Sequence, residues 1–300
     1  MTNRPLQPGD GIALVAPSSP FPLDKFDTAC SLLEGRGYRV VPGKHILQKR
    51  GYLAGSEAER AEDLIGAIAN PDVAAVFYIR GGFGSSRLLP WLPFSVLQKS
   101  PKLFLGYSDT TCLHLAFWAK NRQITFHGPN VIDLADSPEN MNHVMSALSG
   151  CSEFCWSVSE SLVLRHGTAS GRLLGGNLTC LCHLLGSPYF PNLEGAILLL
   201  EDRGEALYRL DRLLTQLKLA GVFTQIKGLI LGHFHECDEP QKVRDMVLEQ
   251  VKYYSFPVVA GLPFGHGSPN EVIPLGSSFL LNTFEGSFRI ISDFPFRISE

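Results

Sequence analysis

Ser108 stands in the stretch Lys102 to Lys120, KLFLGYSDTTCLHLAFWAK, between a short apolar run and a helical pattern. Leu103-Phe104-Leu105 is long enough for a buried parallel strand. Thr110 and Thr111 can cap a helix whose apolar face continues through Leu113, Phe117 and Trp118. A serine at such a strand-to-helix turn projects its hydroxyl from the carboxyl end of a sheet, where the next backbone N–H groups face whatever binds there. This is the local design of a nucleophile elbow. A capping serine in an ordinary strand-to-helix loop has the same local signature.

A serine nucleophile needs a base, a group that orients the base, and donors for the oxyanion. Among nine histidines, His266 lies between two glycines in a loop after a strand, where a side chain can reach a cleft. His127 is its rival, because it closes a strand of the sheet that carries Ser108, whereas His114 falls inside a helical pattern and is read as packing. Glu201 follows ILLL directly, so it is either an orienting acid or half of a salt bridge with Arg203 or Arg209. The order Ser108, Glu201, His266 is a permissible triad order. Oxyanion donors are available at the Asp109 N–H and in the Gly81-Gly82 loop. Two other chemistries compete. Arg80 to Ser86, RGGFGSS, could cradle a phosphate, but it lacks the lysine of a P-loop and the spacing of a dinucleotide fingerprint. His233 to Asp238, HFHECD, offers metal ligands at a spacing that matches no strong zinc signature.

The elements that must position these residues follow from hydrophobic spacing. Strands are expected at Gly11–Ala16, Tyr38–Val41, Ala74–Ile79, Leu103–Leu105 and Ile124–Phe126, alternating with helices over Leu23–Arg36 and from Ser56 to about Asn70. Ser56 and Glu59 are spaced as a capping box. This alternation predicts a doubly wound α/β domain with a mostly parallel sheet over residues 1–150. Residues 151–170 are polar and poorly periodic and read as a linker. Residues 171–300 read as a mixed α+β domain: buried strands at Ala196–Leu200 and Gly228–Gly232, a leucine-faced helix from Leu207 to Leu217, and terminal strands flanking Glu285-Gly286.

The formal net charge of −3 gives no electrostatic reason to expect nucleic acid or an anionic membrane as partner. No apolar run approaches the length of a membrane span, and MTNRPLQPGD lacks the apolar core of a secretory signal. Seven irregularly spaced cysteines suggest free thiols in a reducing compartment. A cytoplasmic location is therefore expected.

In chain order, RGGFG (80–84), GYSDTT (106–111), HGP (127–129), GGNL (175–178), LLLEDRGE (198–205) and PFGHG (263–267) resemble the LD-carboxypeptidase family of serine peptidases. That family includes murein tetrapeptide LD-carboxypeptidases and microcin-immunity peptidases, and the resemblance spans nearly the whole chain. It implies Ser108 as nucleophile, Glu201 and His266 as orienting acid and base from the other domain, and the Gly82 and Asp109 N–H groups as oxyanion donors. It also implies no metal, no cofactor and a homodimer. Phe83 departs from the tyrosine that many relatives carry. Arg80, Ser85 and Asn177 are expected substrate contacts, with Arg80 or the helix start at Ser85 holding a terminal carboxylate. The implied activity removes a C-terminal D-amino acid, D-alanine, from murein tetrapeptides in cell-wall recycling. The alternatives are cleavage of peptide–nucleotide antibiotics and a non-catalytic ligand-binding module.

Overall fold

A computed structural model describes residues 4–99 and 101–296; the outer ends of both expected domains, 1–3 and 297–300, lie outside the described residues, as does residue 100. The apolar runs form strands because a parallel strand is buried on both faces. Gly11–Val15 and Leu103–Gly106 are buried throughout. Among the described residues the first sheet has six strands, in the spatial order Ile273–Leu275, Thr125–His127, Leu103–Gly106, Val73–Tyr78, Gly11–Val15, Arg39–Pro42. All neighbours are parallel except the first pair, in which Ile273 faces His127. Alternate strand residues enter opposite cores. Ala13 and Val15 pack with Leu64 and Leu113, whereas Ile12 and Leu14 pack with Phe26 and Leu33. This is the doubly wound α/β architecture expected.

The chain leaves Gly11–Val15 for the edge strand Arg39–Pro42, then returns on the other side as Val73–Tyr78. The strand order therefore reverses between Gly11–Val15 and Val73–Tyr78, and ligand crevices form at the carboxyl ends of strands beside such a reversal. The loops that open there are the one after Val15 and the glycine-rich one after Tyr78.

Two local expectations have different outcomes. The capping box forms: the Ser56 N–H donates to Glu59 Oε2 at 2.8 Å and the Glu59 N–H to Ser56 Oγ at 3.3 Å, starting the helix Glu57–Ala69. Neither Thr110 nor Thr111 caps its helix, Thr111–Asn121. A 3₁₀ turn over Ser108–Thr110 precedes it. The Thr110 hydroxyl donates to Tyr107 O at 2.9 Å, and Thr111 Oγ1 accepts the Asn177 N–H at 3.1 Å. A partner from the other half of the chain has replaced the local one.

The second sheet is eight-stranded among the described residues, in the order Cys155–Ser157, Ser287–Ser292, Ser278–Asn282, Thr168–Asn177, Ile197–Arg203, Gly228–His235, Val258–Ala260, Val163–Arg165. Its hinge is Thr168–Asn177. That strand pairs antiparallel with Ser278–Asn282 through its first half and parallel with Ile197–Arg203 through its second. The stretch 151–170, read as a linker, contributes Cys155–Ser157 and Val163–Arg165 to this sheet. Strands of three residues are too short to show periodicity in sequence. Among the described residues, no helix is long and apolar enough to cross a membrane.

Two histidines are buried without charge beside the elbow. Burial, opposed by a hydrogen bond from Nε2 to Gly106 O, pulls His114 down to about 4. Burial, together with His114 and His266, pulls His127 down to about 3. Both lie below the ordinary 6.5. The unfolded chain therefore takes up protons first, so these groups stabilise the fold above pH 6.5 and destabilise it as pH falls towards their folded values. Urea unfolding from about pH 6 to about pH 5 should show this dependence, and His127→Gln should reduce its slope by about 1.4 kcal/mol per pH unit. Equal slopes for the two proteins would contradict neutral burial of His127.

Candidate active site

Ser108 occupies the turn after Leu103–Gly106 with φ +65°, a conformation that a non-glycine residue adopts at a cost. Its surroundings make room for that turn. A Cβ on Gly106 would come within 2.6 Å of the Tyr78 ring and 2.8 Å of Asn130 Oδ1. A Cβ on Gly81 would lie 2.7 Å from Ser108 Oγ. The glycines are required here by close approach of neighbouring atoms.

His266 reaches Ser108 from the other half of the chain. Its Nε2 lies 3.1 Å from Ser108 Oγ. Its Nδ1 lies 2.6 Å from Glu201 Oε2, which also accepts the His266 backbone N–H at 3.2 Å. A carboxylate can only accept, so Nδ1 carries the proton and Nε2 of the neutral ring is the acceptor for the serine hydroxyl. Glu201 is fully buried at the end of Ile197–Arg203, as its apolar run implies. Gly265 lets the His266 loop close over it, because a Cβ there would collide with the Glu201 carboxylate. Asn270 Oδ1 holds this loop through the Gly265 N–H at 2.9 Å. Burial lowers the basicity of His266, but the charge of Glu201 and its hydrogen bond outweigh that, so the imidazole sits above the ordinary 6.5.

The other histidines are placed differently. His127 is fully buried, with no hydrogen-bond partner at either nitrogen among the described residues, and His114 lies under the elbow. His233 Nε2 donates to Pro269 O at 3.1 Å, and His235 lies 3.5 Å from Glu236. A different trio offers metal-ligand atoms within 4.8 Å of one another: Asp109, Cys112 and Cys180. The Asp109 carboxylate there accepts the Ser18 hydroxyl and the Ser85 N–H. The hydrogen bond with Cys112, together with burial, keeps the Cys180 thiol well above its ordinary value.

A cleft of about 470 Å³ opens over Ser108 and His266, lined by Gly82, Arg80, Asn177 and Asp109 among others. The expected substrate contacts divide. Arg80 is exposed at its rim, with Nη1 donating to Pro20 O at 2.6 Å. Asn177 lines it with its amide already engaged, Nδ2 on Asp202 at 2.9 Å and Oδ1 on the Cys180 N–H at 3.0 Å. Ser85 is fully buried, and its hydroxyl donates to Asp109 O at 2.6 Å, so it braces the elbow instead of facing the cleft. The sequence reading missed Tyr107 and Asp133. The Tyr107 ring packs 4.8 Å from the His266 ring, and Asp133 lines the same cleft. Burial, with the charges of Asp133 and Glu201, pushes that phenol well up. Adjacency to Ser108 was a signal for Tyr107; nothing local marked Asp133.

Residues 12–128 match the LD-carboxypeptidase N-terminal domain, and residues 170–281 match the LD-carboxypeptidase C-terminal domain. The chain is 37% identical to the probable murein peptide carboxypeptidase of Bacillus subtilis (strain 168), covering 94% of this chain and 92% of that protein. Its fold is similar to the muramoyltetrapeptide carboxypeptidase from Oxalobacter formigenes, with a TM-score of 0.83 and 34% identity over 95% of this chain and 99% of that one. It is also similar to MccF in complex with glutamyl sulfamoyl guanosine, with a TM-score of 0.90 and 26% identity over 98% and 99% of the two chains.

The raised basicity of His266 is open to direct measurement. An NMR titration of its imidazole should give a pKa above 6.5, and Glu201→Gln should lower it by removing the favourable charge. An unchanged value in Glu201→Gln would show that the carboxylate does not set the proton affinity of this ring.

Proposed function

Because the chain belongs to the LD-carboxypeptidase family of peptidases, we propose that it is a serine carboxypeptidase releasing a C-terminal D-amino acid, D-alanine, from murein tetrapeptides. The observation that supports this reading most directly is the unbroken chain of contacts from Ser108 Oγ through His266 to Glu201. Ser108 Oγ attacks the scissile carbonyl while His266 Nε2 takes its proton, and Glu201 holds the ring and stabilises the imidazolium. The tetrahedral oxygen lies between the Gly82 and Asp109 N–H groups. Collapse expels D-alanine, whose amine takes the proton from His266, and water then hydrolyses the acyl-enzyme by the same route. No step of this sequence requires a metal or a cofactor.

For the terminal carboxylate we choose Arg80. Arg203 also lines the cleft, but its guanidinium is paired with Glu236 at 2.9 and 3.1 Å. Arg80 has no carboxylate partner among the described residues and lies beside the glycine loop. With carbonyl and carboxylate both anchored, the methyl of an L-residue would have to move or the carboxylate contact would be lost. Loss of a charged hydrogen bond costs about 1.5–3 kcal/mol. We place the enzyme in the cytoplasm, as a homodimer, in the recycling of wall fragments. The likeness to MccF supports a second reading, cleavage of peptide–nucleotide antibiotics. Higher identity to the murein enzymes favours the first.

Mass spectrometry of muropeptides incubated with the protein should show loss of one alanine from a tetrapeptide and none from a pentapeptide. Ser108→Ala should abolish turnover without unfolding the chain. His266→Ala should match it, because members of one catalytic unit are not additive. Activity on an aminoacyl sulfamoyl nucleoside but not on the tetrapeptide would select the second reading.

Stereochemistry provides a sharper comparison. An L,D-linked tetrapeptide should exceed its L,L isomer by at least about tenfold in kcat/KM. Equal rates would leave the mechanism standing and refute the substrate.

A further inference from the structure

Arg60 is among the largest fully buried side chains of the protein, at 2% exposure, and it has no carboxylate within ion-pair distance among the described residues. It sits in the first turn of Glu57–Ala69, the end of a helix where a positive charge is least favourable. Its Nη1 donates to two carbonyls, Pro17 O and, at 2.9 Å, Gly84 O. Nε and Nη2 are buried without partners. A buried, uncompensated guanidinium is destabilising, so its placement calls for a return other than stability.

The two carbonyls it joins belong to the two loops that open at the reversal of strand order. These loops also interlock directly. The Ser19 N–H donates to Gly81 O at 3.3 Å, and the Phe83 N–H to Ser19 Oγ at 3.2 Å. A Cβ on Gly82 would collide with Ser19, and one on Gly84 would lie 2.8 Å from Arg60 Nη1. Each loop also meets the residue after the nucleophile, because Ser18 Oγ and the Ser85 N–H both donate to Asp109 Oδ2. The position of the Gly82 N–H relative to the Asp109 N–H is therefore set by how these loops are held together, and Arg60 holds them from beneath.

We propose that Arg60 is a positioning residue for the oxyanion hole, clamping the 17–19 loop to the 81–84 loop so that the Gly82 N–H faces the developing oxyanion on Ser108. The inference rests on the serine mechanism proposed above. An oxyanion contact strengthens in the transition state and hardly exists with bound substrate. Loosening the clamp therefore lowers kcat and leaves KM nearly unchanged.

The test compares Arg60→Met and Arg60→Lys with the unaltered protein, each checked for folding by thermal unfolding. On a murein tetrapeptide, Arg60→Met should lose about 10²–10³-fold in kcat, the loss typical of one oxyanion donor, with KM within about threefold. A peptidyl phosphonate that mimics the tetrahedral intermediate should weaken by the same factor. Arg60→Lys keeps the charge and reaches one carbonyl, so it should fall between the two. The His266 limb of the pH profile should not move. A folded Arg60→Met with kcat within about threefold of the unaltered protein, or with its loss confined to KM, would overturn the proposal. If Arg60→Met does not fold, full kcat in Arg60→Lys overturns it. Failure of the substrate reading is recognised separately, as an unaltered protein that leaves the tetrapeptide intact yet is labelled at Ser108 by a fluorophosphonate. Arg60 is then judged on labelling rate, where a loss of tenfold or more supports the clamp and an equal rate refutes it.

Discussion

The hydrogen bond between Ser108 Oγ and His266 Nε2, 3.1 Å long, is the constraint to which the rest of the site is fitted. Its two ends are 158 residues apart in sequence and rise from different sheets. Such a contact persists only if the two sheets cannot slide relative to one another. Several features hold them. Ile273–Leu275, which follows the His266 loop, returns to the first sheet and pairs with Thr125–His127. Thr111, at the start of the elbow helix, accepts the Asn177 N–H from the second sheet. Both hydrophobic cores run continuously from one half into the other, Leu113 with Leu198 on one side and Leu105 with Ile197 on the other.

Around that bond the site concentrates unfavourable local choices. Ser108 is left-handed. Glu201 is fully buried, and its Oε1 has no hydrogen-bond partner among the described residues. A buried carboxylate is tolerable when donors face it, and here two come from His266, the ring Nδ1–H and the backbone N–H. The same pair raises the proton affinity of the ring, so positioning and acid–base character have one cause. Gly81, Gly106 and Gly265 serve the arrangement by absence, since a methyl at any of them would meet Ser108, Tyr78 or Glu201.

Asp109 links catalysis to the fold on the other side of the nucleophile. Its backbone supplies an N–H to the reaction in the proposed mechanism. Its carboxylate gathers Ser18 and Ser85, each from a loop at the reversal of strand order. Ser85, which a local reading assigns to substrate, turns away from it because its hydroxyl donates to the Asp109 backbone carbonyl at 2.6 Å.

Sequence alone determined the strand–turn–helix around Ser108, the capping box at Ser56 and the doubly wound first half. Each of these is encoded over a few residues, by apolar spacing, by a cap or by glycines flanking a reactive group, so neighbours along the chain suffice to specify it. Tertiary structure alone decided which histidine reaches the serine. His127, at a strand end, and His266, in a loop after a strand, both stand beside glycine, and only packing buries the first and delivers the second. It also reassigned Thr111 from capping to bridging, gave residues 151–170 to a sheet, turned Ser85 inward and placed Arg60 beneath the glycine loop. The physical reason is common to these cases. A polar group takes whichever partner the completed fold brings within about 3 Å, and that partner is encoded tens of residues away, where no local pattern records it.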